Sequence, residues 1–139
     1  MWDEENTVIS PDVLFFFDGR AGALALYEAL ARRLLSAFPE TQVRVQKTQI
    51  SFYDGHMYCC ASLTPVVRKA ERPDPFLTVT FSLDAPADSP RLVCVPVGRN
   101  RFTHHAVIGG VKDIDDALLG WITASHALST ERKNCHARA

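Results

Sequence analysis

The sequence predicts an α+β fold: a single antiparallel sheet of about five strands, with an N-terminal and a C-terminal helix packed on one face. Three observations lead there. Apolar residues recur three and four apart before Pro39 and again after Asp113. Between those runs, apolar and polar residues alternate one by one. Strands and helices do not alternate, which disfavours a parallel sheet built from βαβ units.

Phe15-Phe16-Phe17-Asp18-Gly19 comes first, with Asp18 expected to cap the helix that follows and the phenylalanines packing beneath it. In AGALALYEALARRLLSAF, the positions Leu24, Tyr27, Ala31, Leu34 and Phe38 form one stripe, widened by Leu30 and Leu35. Pro39 ends it. Val43 and Val45 alternate with Arg44 and Gln46, but Ile50 and Phe52 continue on even numbers. A strand keeps one face only while its register holds, so a bulge or tight turn is expected near Lys47-Thr48. Asp54-Gly55 signals a hairpin, and the return strand is expected to carry Met57, Cys59, Ala61 and Leu63 on one side.

Residues 64–75, with three prolines, read as a loop. Leu77, Val79, Phe81 and Leu83 alternate with Thr78, Thr80 and Ser82 in the cleanest strand of the chain. Leu92 to Val97 reads as an edge strand or strand end because of Pro96, and Arg101 to Ile108 as the last strand. Asp113 is expected to cap the second helix, whose inner face is Ile114, Leu118, Trp121, Ile122 and Ser125.

A chain of 139 residues suits one domain. The expected division is a flexible leader over 1–13, the domain over 14–128 and a disordered tail over 129–139. Net charge is -1, which gives no global pull toward nucleic acid or membrane. No apolar run approaches the roughly 20 residues that span a bilayer. The acidic start MWDEEN does not resemble a secretory signal, so a cytoplasmic location is expected. Cys59, Cys60, Cys94 and Cys135 form no C-x-x-C pair, and neither a metal nor a cofactor is implied.

The segments VRVQKTQISFY, RFTHHAVI and DDALLGWITASH, with the leading FFDGRAGALALYEALARRLL, resemble an uncharacterised bacterial family, the domain of unknown function 5655. The resemblance spans residues 14–128. It implies a small α+β fold and no established activity; the transport label of some members fits nothing here, since no segment can cross a membrane. The layout is more distantly similar to YjbR-type α+β domains, for which DNA binding has been suggested, an analogy of fold alone.

The candidate chemistry is sparse. In NRFTHHAVI the two histidines point to opposite faces of a strand. His104 shares its side with Phe102, Ala106 and Ile108 and reads as a buried, hydrogen-bonded core residue. His105, with Thr103, reads as facing the open side of the sheet. Gln49, Ser51, Tyr53, Thr78, Thr80 and Ser82 are expected there too, with Lys47 as a compact cation at the irregular turn. The leading expectation is a non-enzymatic binding module whose polar sheet face, centred on Lys47, Gln49, Ser51, Thr103 and His105, holds a small anion or a partner segment. A second is nucleic-acid binding along a basic edge, using Arg91, Arg99 and Arg101. A third is an enzyme using His105 or an exposed Cys60. No G-x-S-x-G, P-loop, H-E-x-x-H or G-x-G-x-x-G is present, so no catalytic residue is assigned. A homodimer formed by edge strands is a further possibility.

Overall fold

The computed structural model describes residues 8–138, with side chains through residue 129. Its element order is α1 (Pro11–Phe16), α2 (Ala21–Ala37), β1 (Gln42–Val45), β2 (Ile50–Asp54), β3 (His56–Ser62), β4 (Leu77–Leu83), β5 (Leu92–Gly98), β6 (Arg101–Ile108) and α3 (Asp116–Arg138). One antiparallel sheet holds all six strands in the order β1-β2-β3-β4-β6-β5. The sixth strand arises at Lys47-Thr48. The phase change there is a tight turn, closed by a 2.8 Å bond from the Gln46 N–H to the Gln49 carbonyl, and Val45 pairs with Ile50 across it.

Part of the expected leader is ordered. Ser10 accepts from the Val13 N–H at 3.2 Å and Pro11 opens α1, which is the usual start of a helix. Val8 and Val13 of the expected leader are buried and belong to the core, as does Phe17 beyond it; residues 1–7 lie outside the described ones. Asp18 does not cap α2. Gly19, at φ +73°, turns the chain between them, and the cap position falls on Arg20, whose side chain makes no capping bond. At the other end Asp115, not Asp113, caps α3 by accepting from the Leu118 N–H at 3.0 Å. Asp113 instead accepts from the N–H groups of Gly109 and Gly110. The α3 backbone continues to Arg138, across the expected tail; no proline or glycine follows Gly120 to stop it. Residue 139 lies outside the described ones.

The apolar stripes of both long helices meet one face of the sheet. Tyr27, Leu30 and Leu34 of α2 and Leu118 and Ile122 of α3 share a cluster with Ile50, Phe52, Ala61, Val79, Phe81, Ala106 and Ile108. Burying each leucine, isoleucine, valine or phenylalanine among them stabilises the fold by about 1.5–3 kcal/mol before entropy is charged against it. No helix is long and apolar enough to cross a membrane among the described residues.

Candidate functional site

The site begins with one extra residue in β3. Phe52 pairs with Cys59, but Tyr53 pairs with Met57, so Tyr58 is a bulge. A bulge shifts side-chain facing and bends its strand. Tyr58 is consequently buried on the helix side, edge-on to Phe38 and to His126 of α3, with its hydroxyl 2.8 Å from Thr41 Oγ1. Burial pushes the Tyr58 hydroxyl pKa up. Met57 is displaced to the opposite face, where its sulfur meets Gln49, so the expected row Met57-Cys59-Ala61 is broken at its first member.

The bend also separates β3 from β4. Their ladder holds three pairs, Cys60–Thr80, Ala61–Val79 and Ser62–Thr78. Continued, that register would set Tyr58 opposite Ser82. In that place stands the hydroxyl of Ser125 from α3, which donates to the Tyr58 carbonyl at 2.8 Å and accepts from the Ser82 N–H at 3.2 Å. Beyond it the strands part and leave a cleft of about 510 Å³. Its described lining is His56 and Met57 of β3, Ser82 of β4, Arg101 of β6, and Ser125, Leu128 and Ser129 of α3. That lining carries a guanidinium, an imidazole and three hydroxyls, and no carboxylate. No ion pair or hydrogen bond holds the Arg101 side chain among the described residues. Among the described residues, two buried hydroxyls lack a partner, Tyr27 in the core and Ser129 in the cleft wall. Buried polar groups are nearly always bonded, so Ser129 marks this wall as unfinished.

The expected sheet-face residues divide into two groups. A single row crosses the sheet as Arg44, Ser51, Cys60, Thr80, His105 and Val93. Ser51 and His105 therefore share a face but stand three strands apart, about 14 Å. Ser51 is fully buried and already bonded: it donates to Gln46 at 2.7 Å and accepts from Gln49 at 2.9 Å. Lys47 is exposed in the β1–β2 turn. This group is an internally satisfied hairpin end. Thr103 and His105 lie nearer the cleft, with Thr103 directly opposite Ser82. His105 Nδ1 is 2.8 Å from the Thr80 hydroxyl, and burial, with the neighbouring His104, lowers its pKa and favours the neutral ring. Thr78, expected on the open face, is buried and donates to the Thr64 carbonyl.

His104 is a core residue. It is fully buried and stacks on Phe81 with centroids 5.5 Å apart. The Ala87 N–H donates to its Nε2 at 3.0 Å, so the proton sits on Nδ1, facing the Phe102 carbonyl. Burial lowers its pKa. Cys60 is buried too, and burial raises its thiol pKa, which removes the thiolate a nucleophile needs. Arg91 is withdrawn from the expected basic edge: it forks onto Asp115 at 2.8 and 2.9 Å and donates to the Asp113 carbonyl. Arg99 and Arg101 remain exposed on the β5–β6 hairpin.

Sequence reasoning missed both serines: Ser125 falls at helical spacing with Leu118, Trp121 and Ile122 and reads as helix face, and Ser129 falls at the start of the expected tail. It also missed the 2.7 Å Asp54–His126 pair, in which His126 stacks on Phe38 at 3.9 Å and pins α3 to the end of β2. A second cleft, about 550 Å³, lies at the start of α2. Its walls mix Asp18 and Asp74 with Arg20, and no unpartnered buried polar atom faces it.

A family model described as "Domain of unknown function (DUF5655)" matches residues 15–129. No curated protein and no solved structure matches.

Proposed function

We propose, for a chain that belongs to the DUF5655 family, the role of a small binding module that carries out no chemistry of its own. Its ligand enters the cleft between β3 and β4, at the end of the polar sheet face. The observation that carries this reading is the parting of two neighbouring strands inside a continuous sheet, with a helix hydroxyl holding the seam and five polar side chains lining the gap. A sheet does not leave backbone rungs unmade without compensation. Here Ser125 supplies that compensation, and the gap it preserves has the volume of a small-molecule site. Thr103 and His105 flank the approach; Gln49 meets the cleft only through its contact with the Met57 sulfur, and Lys47 and Ser51 stand outside it. The raised thiol pKa of Cys60 and the committed hydrogen bonds of His104 support binding over catalysis.

The test is a titration of the 15N-labelled chain with a panel of small charged and neutral probes, read by amide shifts. The reading expects the largest shifts at Met57, Ser82, Arg101 and Ser125. Shifts centred on Lys47 and Ser51, with Ser82, Arg101 and Ser125 unmoved, would return the site to the β1–β2 hairpin, and no saturable shift at any probe would remove the binding role.

A further inference from the structure

We infer that the cleft is an oxyanion site: it takes a carboxylate or phosphate group carried on a short apolar arm. The inference rests on the proposed binding role and adds the class of ligand. Three features of the walls support it.

The first is charge. Arg101 reaches the mouth from β6, and the described lining offers no acid to neutralise it; His56 adds an imidazole from β3. Arg101 has no anionic partner within 4.0 Å among the described residues, a state it shares with Arg33, Arg44, Arg72 and Arg99; what sets it apart from these is its place in the cleft lining. A planar guanidinium left without a partner at the edge of a cleft matches the two oxygens of a carboxylate or phosphate.

The second is the supply of neutral donors. Ser82, Ser125 and Ser129 line the inner wall. Ser125 is spent on the strand seam. Ser129 is 9% exposed and its hydroxyl has no partner. A serine hydroxyl swings between staggered χ1 wells at low cost, and an oxyanion in the cleft gives it an acceptor. A neutral amide would leave the guanidinium without a counter-charge, so the walls discriminate between an acid and its amide.

The third is shape. Met57, 46% exposed after the β3 bulge, and Leu128 form the apolar part of the lining. They offer apolar contact to a few methylene groups beside the polar wall.

The experiment is isothermal titration calorimetry on the full chain at low salt, with inorganic phosphate, propionate and the neutral propionamide as probes. Amide shifts of the same samples locate each probe. Variants are Arg101→Leu and Ser129→Ala, with circular dichroism to establish that each is folded. At least one of phosphate and propionate is expected to bind in the cleft, and the stronger of the two identifies the headgroup. Arg101→Leu should weaken it by about tenfold or more, the scale of a lost charged hydrogen bond, and Ser129→Ala by severalfold. Propionamide should bind at least about tenfold less tightly than propionate. Equal binding of amide and acid in the cleft, or an Arg101→Leu variant that binds as the parent does, overturns the oxyanion inference while leaving the cleft as a binding site. Absence of cleft shifts with all three probes overturns both.

Discussion

Replacing Ser125 with alanine should open the seam between β3 and β4. The hydroxyl serves two backbone groups at once, the Tyr58 carbonyl at 2.8 Å and the Ser82 N–H at 3.2 Å, and Ser125 is buried. A buried backbone group left without a partner costs about 1–3 kcal/mol. Two such groups give about 2–6 kcal/mol if neither recovers a partner, and about 1–3 kcal/mol if water from the cleft reaches the Ser82 amide. Alanine is the better helix former, which returns about 0.5 kcal/mol. The net expectation is a loss of about 1–5 kcal/mol, a large share of the 5–15 kcal/mol typical of a domain. Urea unfolding followed by circular dichroism reads it, with a fall in midpoint at constant slope. Amide exchange at Ser82 should speed up in parallel. Ser125→Thr keeps the hydroxyl and should recover most of the loss. A Ser125→Ala variant within about 0.5 kcal/mol of the parent, the range of ordinary surface changes, with Ser82 exchange unaltered, would refute the idea that this hydroxyl replaces a strand rung.

Three further outcomes are expected. A methyl group added at Gly22 would lie 2.7 Å from the Pro75 ring, and one at Gly109 would lie 2.5 Å from Pro73; each alanine variant should lose about 1–3 kcal/mol by overpacking, measured as a fall in Tm. His104 has a folded pKa below its ordinary value because of burial, so the unfolded chain binds its proton more readily. Stability from this residue is therefore complete above about pH 6.5 and declines as pH falls below it; His104→Gln should flatten that part of the unfolding profile, and an unchanged profile would contradict the assignment. In a Cys135→Ser background, iodoacetamide should modify the exposed Cys94 first, while Cys59 and Cys60, buried and with raised thiol pKa values, react only on unfolding.

What could be seen in the sequence follows from how local each cause is. The alternation from Leu77 to Leu83 needs only neighbouring residues, and Val79 and Phe81 are buried as that pattern requires. The phase change at Lys47-Thr48 was visible as a fault in register; whether it bends one strand or joins two depends on pairing, so the count came out at about five when the sheet has six. His104 was legible because apolar neighbours at two-residue spacing fix its face. The bulge at Tyr58 was not, since Met57, Cys59 and Ala61 alternate as well as an unbroken strand would. Ser51 looked exposed from its own strand and is covered by Gln46 and Gln49 from the turn beside it. Arg91 looked available because its partner, Asp115, lies 24 residues away. The cleft needs all of these long-range facts together: a bulge in β3, the end of β4, a hairpin arginine and two serines from the last helix.

The most direct measurement is a crystal structure of the chain soaked in selenate, with data collected at the selenium edge. The account predicts an anomalous peak between Arg101 and the α3 wall of the cleft, lost in the Arg101→Leu variant. A peak confined to Lys47 or the Arg99 turn, with none in the cleft at the same selenate concentration, would contradict it.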